Sequence, residues 1–493
     1  MRQVVSSLMG FILLPCLTST AGAQSAEAVA PPLPALLVTV LSPAAAVKPA
    51  DQHLGALVSV LLEAAALENP KINVVTFGAQ AEMLDDLGQS LSAGVDDKLA
   101  ARLARLSGAS HVLYGSFAPA KNTHEWTVML LSPGQPKPRA LVKVRGTPAE
   151  ALAKVADAVA KETGTGPLKL PAVPASAKEQ VGYVRCQAYS AVALERAGVK
   201  GRVVEVPPGV RASCEDAGAA SPSPLGRGVN LSVRLLGGDA AARAELEKHV
   251  DAHPLDRLPL LALVRDMYQA GQRNAALVLL HTVLADRPRD PDVWRMMGEL
   301  HMDLKQYDKA RDAFTHAVAE VPASAYLQYR LSYATYRSER PQQALAHARR
   351  ALELAGGDAA FYQLNLAERL IDSAQLDEAV TLLKASTAQT PTKLTSRVRL
   401  GYVHLLQKNL EGALQELKAA EQLTPSDKEV DRGIPTLLLA DLARVHALRG
   451  EKDLAVKYLD KLKEAGAMDA VDLDSWDFTS LRQEPDFRRL KGK

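Results

Sequence analysis

Aromatic side chains are scarce in this sequence: phenylalanine, tyrosine and tryptophan make up 4% of its 493 residues. Alanine is abundant instead, and alanine favours helix and lets helices approach closely, so an α-rich protein is expected. An excess of one charge is also missing. The formal net charge is +2, which implies no strongly basic face and argues against nucleic acid as a partner. Beyond the first residues no apolar run reaches membrane-spanning length without charges, so no permanent transmembrane segment is expected. Constellations that carry chemistry are absent too. His124-Glu125 has no second histidine at metal-binding spacing, and a metal site needs three or four converging ligands. Gly164-Thr165-Gly166 lacks the strand–loop–helix context of a phosphate loop and reads as a linker. No nucleophile–base pair or paired carboxylates stand out, so neither catalysis, metal nor cofactor is expected. The chain is too long for one ordinary core, which points to two or three domains.

Residues 1–23 read as a secretory signal peptide. Arg2 supplies a positive start, residues 4–17 a short apolar run broken by Ser6 and Ser7, and Ala21-Gly22-Ala23 a small-residue cleavage site. The expected product is a bacterial periplasmic or secreted protein. Cys16 supports the other reading, an outer-membrane-associated lipoprotein, although Pro15 directly before it fits a lipidation box badly.

Residues 34–165 alternate strand and helix signals. Residues 36–41 form a short β-branched apolar run, the mark of a buried strand. Leu54, Leu57, Val58, Leu61 and Leu62 recur at helical spacing behind Asp51, a candidate cap, and Asn69-Pro70 closes that helix. A second strand is expected over 72–77. A helix follows over 96–106, with Leu99, Leu103 and Leu106 on one face. Strands over 112–117, 126–131 and 140–144 are joined by hairpin loops at 120–124 and 134–138. Thr147, Pro148 and Glu150 then spell a capping box ahead of a helix bearing Val155 and Val159. The expected fold class here is α+β, a mixed sheet with packed helices. The stretch Leu106-Ser107-Gly108-Ala109-Ser110-His111-Val112-Leu113-Tyr114-Gly115-Ser116-Phe117 runs a helix through a Gly-Ala pair into a strand ending Gly-Ser. It resembles the small domain at the N-terminus of TolB, also found in CsgG-like and FlgO-like envelope proteins. The resemblance implies an interaction module that docks to an envelope protein.

Residues 166–256 connect this domain to the C-terminal half of the chain. The Pro-rich stretch 166–176 reads as a stiff linker. A helix is expected over 177–197, an extended segment over 202–206 and an exposed loop over 207–228. Residues 231–236 and 241–250 look like a degenerate helical pair, either a worn repeat or a cap over an open apolar face. Cys186 and Cys214 are the two cysteines left after signal cleavage. In an oxidising compartment such a pair is a disulfide candidate; two free thiols are the equal alternative.

The region 257–469 has the clearest pattern. In residues 291–324, Trp294, Met297, Gly298, His301, Ala310, Phe314, Ala317 and Pro322 hold the spacing of a helix–turn–helix unit of about 34 residues. The pattern recurs with Leu260, Leu263, Ala276 and Pro288 before it, and with Leu331, Ala344, Ala348 and Ala351 after it. It returns with Leu366, Ala379 and Pro391, with Gly401, His404, Ala413 and Pro425, and with Leu442, Ala443, His446 and Ala455. This last unit follows an insertion around 428–435. Small residues such as Gly298, Gly401 and Ala310 sit where paired helices approach, and Trp294 and Phe314 fill space between neighbours. The histidines 301, 404 and 446 share one repeat position, a repeat effect rather than a metal site. The region resembles an array of about six tetratricopeptide repeats, which implies an all-α solenoid with a concave groove lined by the first helix of each pair. Residues 470–493 resemble the closing segment of proteins that join a TolB-like domain to such repeats, and their aromatics are expected to cap the last repeat.

On this register the helix over 325–337 turns Tyr326, Tyr329, Arg330, Tyr333, Tyr336 and Arg337 towards the groove. Four of the chain's 12 tyrosines thus share one helical face, and tyrosine and arginine dominate binding hot spots. Asn365, Arg399 and Tyr402 join them from the next repeats, beside Arg295, Glu299 and Glu368. The competing reading packs the tyrosines between repeats, but Leu331, Ala344, Ala348 and Ala351 already hold those positions. The functional expectation is a non-catalytic scaffold or adaptor in cell-envelope assembly, holding a protein or peptide in its groove. The alternative is a polysaccharide or peptidoglycan assembly or export factor whose groove contacts glycan.

Overall fold

The apolar run after residue 34 becomes an interior strand of a mixed sheet. The protein is seen here as a computed structural model. It describes residues 31–491 apart from 77–78, 81–82, 85–93, 133–134, 136, 198–205, 220–223, 255, 358, 427–428 and 431–432. Strand β1 (Ala35–Val38) is followed by β2 (Ser42–Pro43), β3 (Asn73–Val75), β4 (His111–Ala120), β5 (Thr123–Leu131) and β6 (Arg139–Gly146). The order is β3-β1-β4-β5-β6, with β2 paired to β4. β1 runs parallel to both neighbours, and β4, β5 and β6 are antiparallel. A parallel strand inside a sheet is covered on both faces, which explains the unbroken apolar run and the burial of all of β1. In β5, Trp126, Val128 and Leu130 are buried while Thr127 and Met129 are half-buried, the alternation of a strand with one face on the core.

Packed on this sheet are α1 (Leu54–Leu67), α2 (Asp97–Ser107) and α3 (Pro148–Thr163). Leu57 and Leu61 of α1 and Leu152, Val155 and Val159 of α3 share a core with Leu36, Trp126 and Val128. Leu103 and Leu106 of α2 pack with Leu37, Val112 and Tyr114 from the other face. The capping box on α3 is formed: Thr147 N donates to Glu150 Oε2 at 2.7 Å, and Glu150 N to Thr147 Oγ1 at 3.3 Å. Asp51 does not cap α1. It ends a short 3-10 turn (Pro49–Asp51), and α1 starts after His53 without a side-chain cap. Asp51 lies instead 3.6 Å from His124, which is half-buried against Phe117 and Trp126. The first hairpin is tighter than expected because the β4–β5 ladder runs to Ala120↔Thr123, leaving Lys121 and Asn122 in the turn. The signal segment 1–23 with Cys16, Phe77, most of 202–206, part of the hairpin loop 134–138 and part of the insertion 428–435 lie outside the described residues.

The connecting region is helical: α4 (Ala177–Ala197), α5 (Pro208–Ala219), α6 (Pro224–Leu236) and α7 (Ala241–Ala252). The loop expected over 207–228 is therefore overturned. Pro208 is compatible with a first helical turn, and Cys214 in α5 is bonded to Cys186 in α4, with S–S 2.04 Å and Cα–Cα 5.1 Å. Both cysteines are buried with Tyr183 and Ala217. A covalent tie and apolar contacts distant in sequence hold a segment whose local composition reads as loop.

Six helix pairs follow: α8 (Arg257–Gln269) and α9 (Arg273–Asp286), α10 (Pro291–Asp303) and α11 (Tyr307–Glu320), α12 (Ala325–Arg337) and α13 (Pro341–Ala355), α14 (Ala360–Asp372) and α15 (Leu376–Gln389), α16 (Leu394–Leu406) and α17 (Leu410–Glu421), α18 (Ile434–Leu448) and α19 (Lys452–Glu464). Each turn within a pair passes through one left-handed residue: Gly271, Lys305, Glu339, Ala374, Lys408 and Gly450. The close approach inferred for the small residues is real. A Cβ on Gly298 would lie 2.7 Å from the Phe314 ring, and one on Gly401 would lie 2.6 Å from Leu417 Cγ. The recurrent histidines bond the turn after their own helix. His301 Nδ1 meets Gln306 Oε1 at 2.8 Å, His404 meets Asn409 at 3.5 Å and His446 meets Glu451 at 2.5 Å.

Residues Leu33–Lys493 fold as one unit, and a seam joins the sheet domain to the array. Buried Arg287, ahead of α10, donates to the carbonyls of Leu67, Asn69 and Ile72 at and beyond the end of α1. A cation is well placed on the unpaired carbonyls of a helix C-terminus. Ser324 Oγ, ahead of α12, donates to Leu106 O at 3.3 Å. Gly108 ends α2 in the left-handed region, and a Cβ there would lie 2.5 Å from Ser324 N. This glycine therefore serves both the helix end and the seam. At the far end Phe478, Leu481 and Phe487 are buried beyond α19, the last within α20 (Pro485–Leu490). Trp476 departs from the expected cap: it is 65% exposed. Among the described residues no helix is long and apolar enough to cross a membrane.

Candidate partner-binding groove

The first helices of successive pairs lie side by side, α12 on α14, α14 on α16 and α16 on α18. Polar links across these neighbours show which side chains share a face. Arg330 of α12 reaches Glu299 of α10 at 2.9 Å. Tyr336 OH donates to Asp372 of α14 at 3.3 Å, and Arg399 Nε of α16 donates to Glu368 of α14 at 3.1 Å. The face is thus a row of arginines and carboxylates interleaved with tyrosine. Arg295 is held by both Asp292 and Glu299, at 2.8 Å each.

Within α12 the six predicted residues do not all share one environment. Tyr326 is 5% exposed and packs with Ala35, Val321 and Leu327 at the seam. Tyr329 is half-buried, edge-on to Phe361 with ring centroids 4.8 Å apart. Arg330 also lies over the Phe314 ring at 5.6 Å. Tyr333 is 39% exposed, the most open of the four tyrosines. Tyr336 is half-buried beneath the Arg369 guanidinium, 3.8 Å from its ring centroid. Arg337 is exposed and lies 4.4 Å over the Tyr307 ring, donating to that residue's hydroxyl. Burial raises the Tyr336 hydroxyl pKa, with the Asp372 charge adding to it.

Asn365 sits between Arg330 and Arg399 at the same repeat position. It is buried, and its Oδ1 has no hydrogen-bond partner. An unmade bond of this kind costs on the order of 1–3 kcal/mol. Tyr402 is half-buried on α16.

Several members of the row were not anticipated: Arg369, Asp372, Asp441 and Arg444. Asp441 of α18 is nearly fully buried, and Arg444 Nη1 donates to its Oδ1 at 2.7 Å. Burial pushes its carboxyl up to about 6, against the pull of Arg444 and Arg399. Asp441 holds the repeat position of Arg330, Asn365 and Arg399. The register carried by Leu442, Ala443 and His446 already contains this position. Among the described residues no group of three or more His, Cys, Asp or Glu side chains could hold a metal ion.

Two family models, each described as tetratricopeptide repeat, match residues 267–332 and 364–428. Among solved structures the chain is similar to YrrB, described as a TPR protein with an unusual peptide-binding site. That match has 21% identity, 38% of this chain, 96% of that one and a TM-score of 0.30. PilW, described as a widely conserved type IV pilus biogenesis factor, matches at 20% identity over 44% of this chain and 94% of its own, with a TM-score of 0.36. A tetratricopeptide repeat protein from Parabacteroides merdae matches at 14% identity over 50% and 97%, with a TM-score of 0.40. No curated protein matches the chain.

Proposed function

We propose that this chain, whose helix pairs are tetratricopeptide repeats, is an exported scaffold without catalytic function that holds an extended segment of a protein partner along the face of α10–α18. The observation that carries the reading is Tyr333, 39% exposed on α12, on a face where Arg330 is tied to Glu299 of α10 and Arg399 of α16 to Glu368 of α14. An extended peptide supplies apolar side chains for the tyrosine and carboxylates for the arginines. The sheet domain, by its resemblance to TolB-like domains, docks a second envelope protein. Its array-side face is already used at the seam. Export to the periplasm rests on the reading of residues 1–23.

Pull-down from cells with the wild-type chain, Tyr333→Ala and Asn365→Ala, followed by mass spectrometry, tests this. Both substitutions are expected to lose the same protein partners while far-UV circular dichroism stays unchanged. Partner recovery equal to wild type in both would remove the groove from the function. Recovery of glycan with no protein would favour the polysaccharide-assembly alternative.

A further inference from the structure

The sheet has two edges, and the fold treats them differently. β3 lies against α10 of the array, and Arg287 holds the Ile72 carbonyl just ahead of that strand. β6 is open. Among the described residues, no backbone hydrogen bond besides the β5 ladder engages residues 140–145. The two faces of β6 differ in chemistry. Val142 and Val144 pair with Val128 and Trp126, buried residues of β5, and with Leu141 they pack against the core that α3 covers, yet stay half-buried. Lys143 and Arg145 pair with Thr127 and Glu125 on the opposite face and are exposed. The strand, RALVKVRG, holds no acidic residue. Arg139 is tied to Glu162 of α3 at 2.5 Å, whereas Lys143 and Arg145 form no ion pair among the described residues.

We propose that β6 takes an extended segment of the envelope partner as a further strand, one in which apolar and acidic residues alternate. The proposal rests on the docking role read for the sheet domain and names its surface. An exposed edge presents unpaired N–H and C=O groups that an added strand satisfies. Side chains of such a strand alternate between the two faces. Those on the α3 side extend the cover over Leu141, Val142 and Val144, so they are apolar. Those on the other side stand beside Lys143 and Arg145. Opposite charges across strands stabilise and like charges destabilise, so these are acidic. The same rule argues against a second copy of this chain. Two β6 strands would bring together Arg139, Lys143 and Arg145 of each copy with no negative charge from either strand. Charge on an edge deters strands of its own sign and leaves the edge open to strands of the other.

The test uses the full chain and labelled synthetic octapeptides, read by fluorescence anisotropy. A peptide alternating valine with glutamate is expected to bind, and one alternating valine with lysine is not. Two further forms of the glutamate peptide carry N-methyl groups, on every valine in one and on every glutamate in the other. Alternate N–H groups of a strand face the same neighbour, so one methylated form should lose binding and the other keep it. Lys143→Glu with Arg145→Glu should weaken the glutamate peptide about tenfold and admit the lysine peptide. The proposal is overturned if the glutamate peptide fails to bind, if both methylated forms bind as the parent does, or if the double variant keeps the wild-type affinity. Photo-crosslinking in cells, with the reactive amino acid at Lys143 in one variant and at exposed Asp157 of α3 in another, separates the edge from the docking role. Partner adducts from 143 support both. Adducts from 157 alone overturn the edge and leave the docking role standing, and adducts from neither remove both. An adduct of two copies of this chain through 143 overturns the acidic strand in favour of self-pairing.

Discussion

The connecting helices α4–α7 and the array α8–α19 are both helical, yet their sequences specify helix in different ways. The array specifies itself locally. Gly298 must be small because Phe314 lies against it, and Gly401 because Leu417 does. The connecting region has no such recurrence. Its α5 opens on Pro207-Pro208-Gly209 and owes its place to one bond between Cys186 and Cys214 and to contacts with residues far away in the chain. Stability in the array is therefore spread over many similar contacts, whereas the connecting region depends heavily on one.

The largest expected effect breaks that comparison at its covalent point. Cys186→Ser with Cys214→Ser removes a closure with a sequence separation of 28 and should cost about 3–4 kcal/mol in the chain-entropy model. Denaturant unfolding with and without reductant checks this, and intact mass after alkylation reports the bridge itself. Two alkylated thiols in the unreduced protein would remove the covalent argument.

The next effect lies in the array and depends on pH. Asp441 has a folded-state pKa of about 6, above its unfolded value near 3.9. The folded state therefore binds the proton more tightly, and stability from this group falls as pH rises from about 4 to 6, by about 2–3 kcal/mol in total. Asp441→Asn should show a shallower decline over that window in denaturant titrations. An identical pH profile in both proteins would mean that the carboxyl is not desolvated.

Packing comes third. Gly401→Leu should overpack against Leu417 and cost about 1–3 kcal/mol, read as a lower thermal midpoint. An unchanged midpoint would count against the helix register.

A smaller effect concerns Glu429, in the insertion ahead of the last repeat. Its carboxylate accepts from Thr395 N and Oγ1 at 2.8 Å each, and from Ser426 N at 3.0 Å and Oγ at 2.8 Å. It thus satisfies the first turn of α16 from a distance. These bonds hold its pKa below the usual value despite burial. Its stabilisation is present above an unfolded pKa near 4.3 and lost as pH falls below that. Glu429→Gln should cost about 1–2 kcal/mol at pH 7, with the difference from wild type shrinking in acid.

The same contrast between local and distant contacts explains what was legible in the sequence. The repeats and their small-residue contacts follow from spacing, because each is a local consequence of close packing. The capping box at Thr147 and Glu150 was legible for the same reason. Tyr326 has the groove spacing too, but its burial depends on the sheet domain lying against Val321 and Leu327, a contact no repeat pattern contains. Trp476 looked like a cap by composition, yet Phe478 and Phe487 fill that core and leave it outside. Asp51 has a good capping side chain, but α1 begins beyond its reach. Asp441 stands beside Leu442 and Ala443, which carried the register of the last repeat, but its burial comes from packing between helices and no spacing contains that.

The central claim is that the partner is held on the inner face of the array and not on its second helices. Photo-crosslinking in cells tests it directly, with the reactive amino acid placed at Tyr333 in one variant and at Val278 of α9, 64% exposed, in the other. Both sites are open enough that stability should stay within about 0.5 kcal/mol of wild type. The account predicts discrete protein adducts from position 333 and none of the same mass from position 278. Adducts from 278 with none from 333 would contradict it.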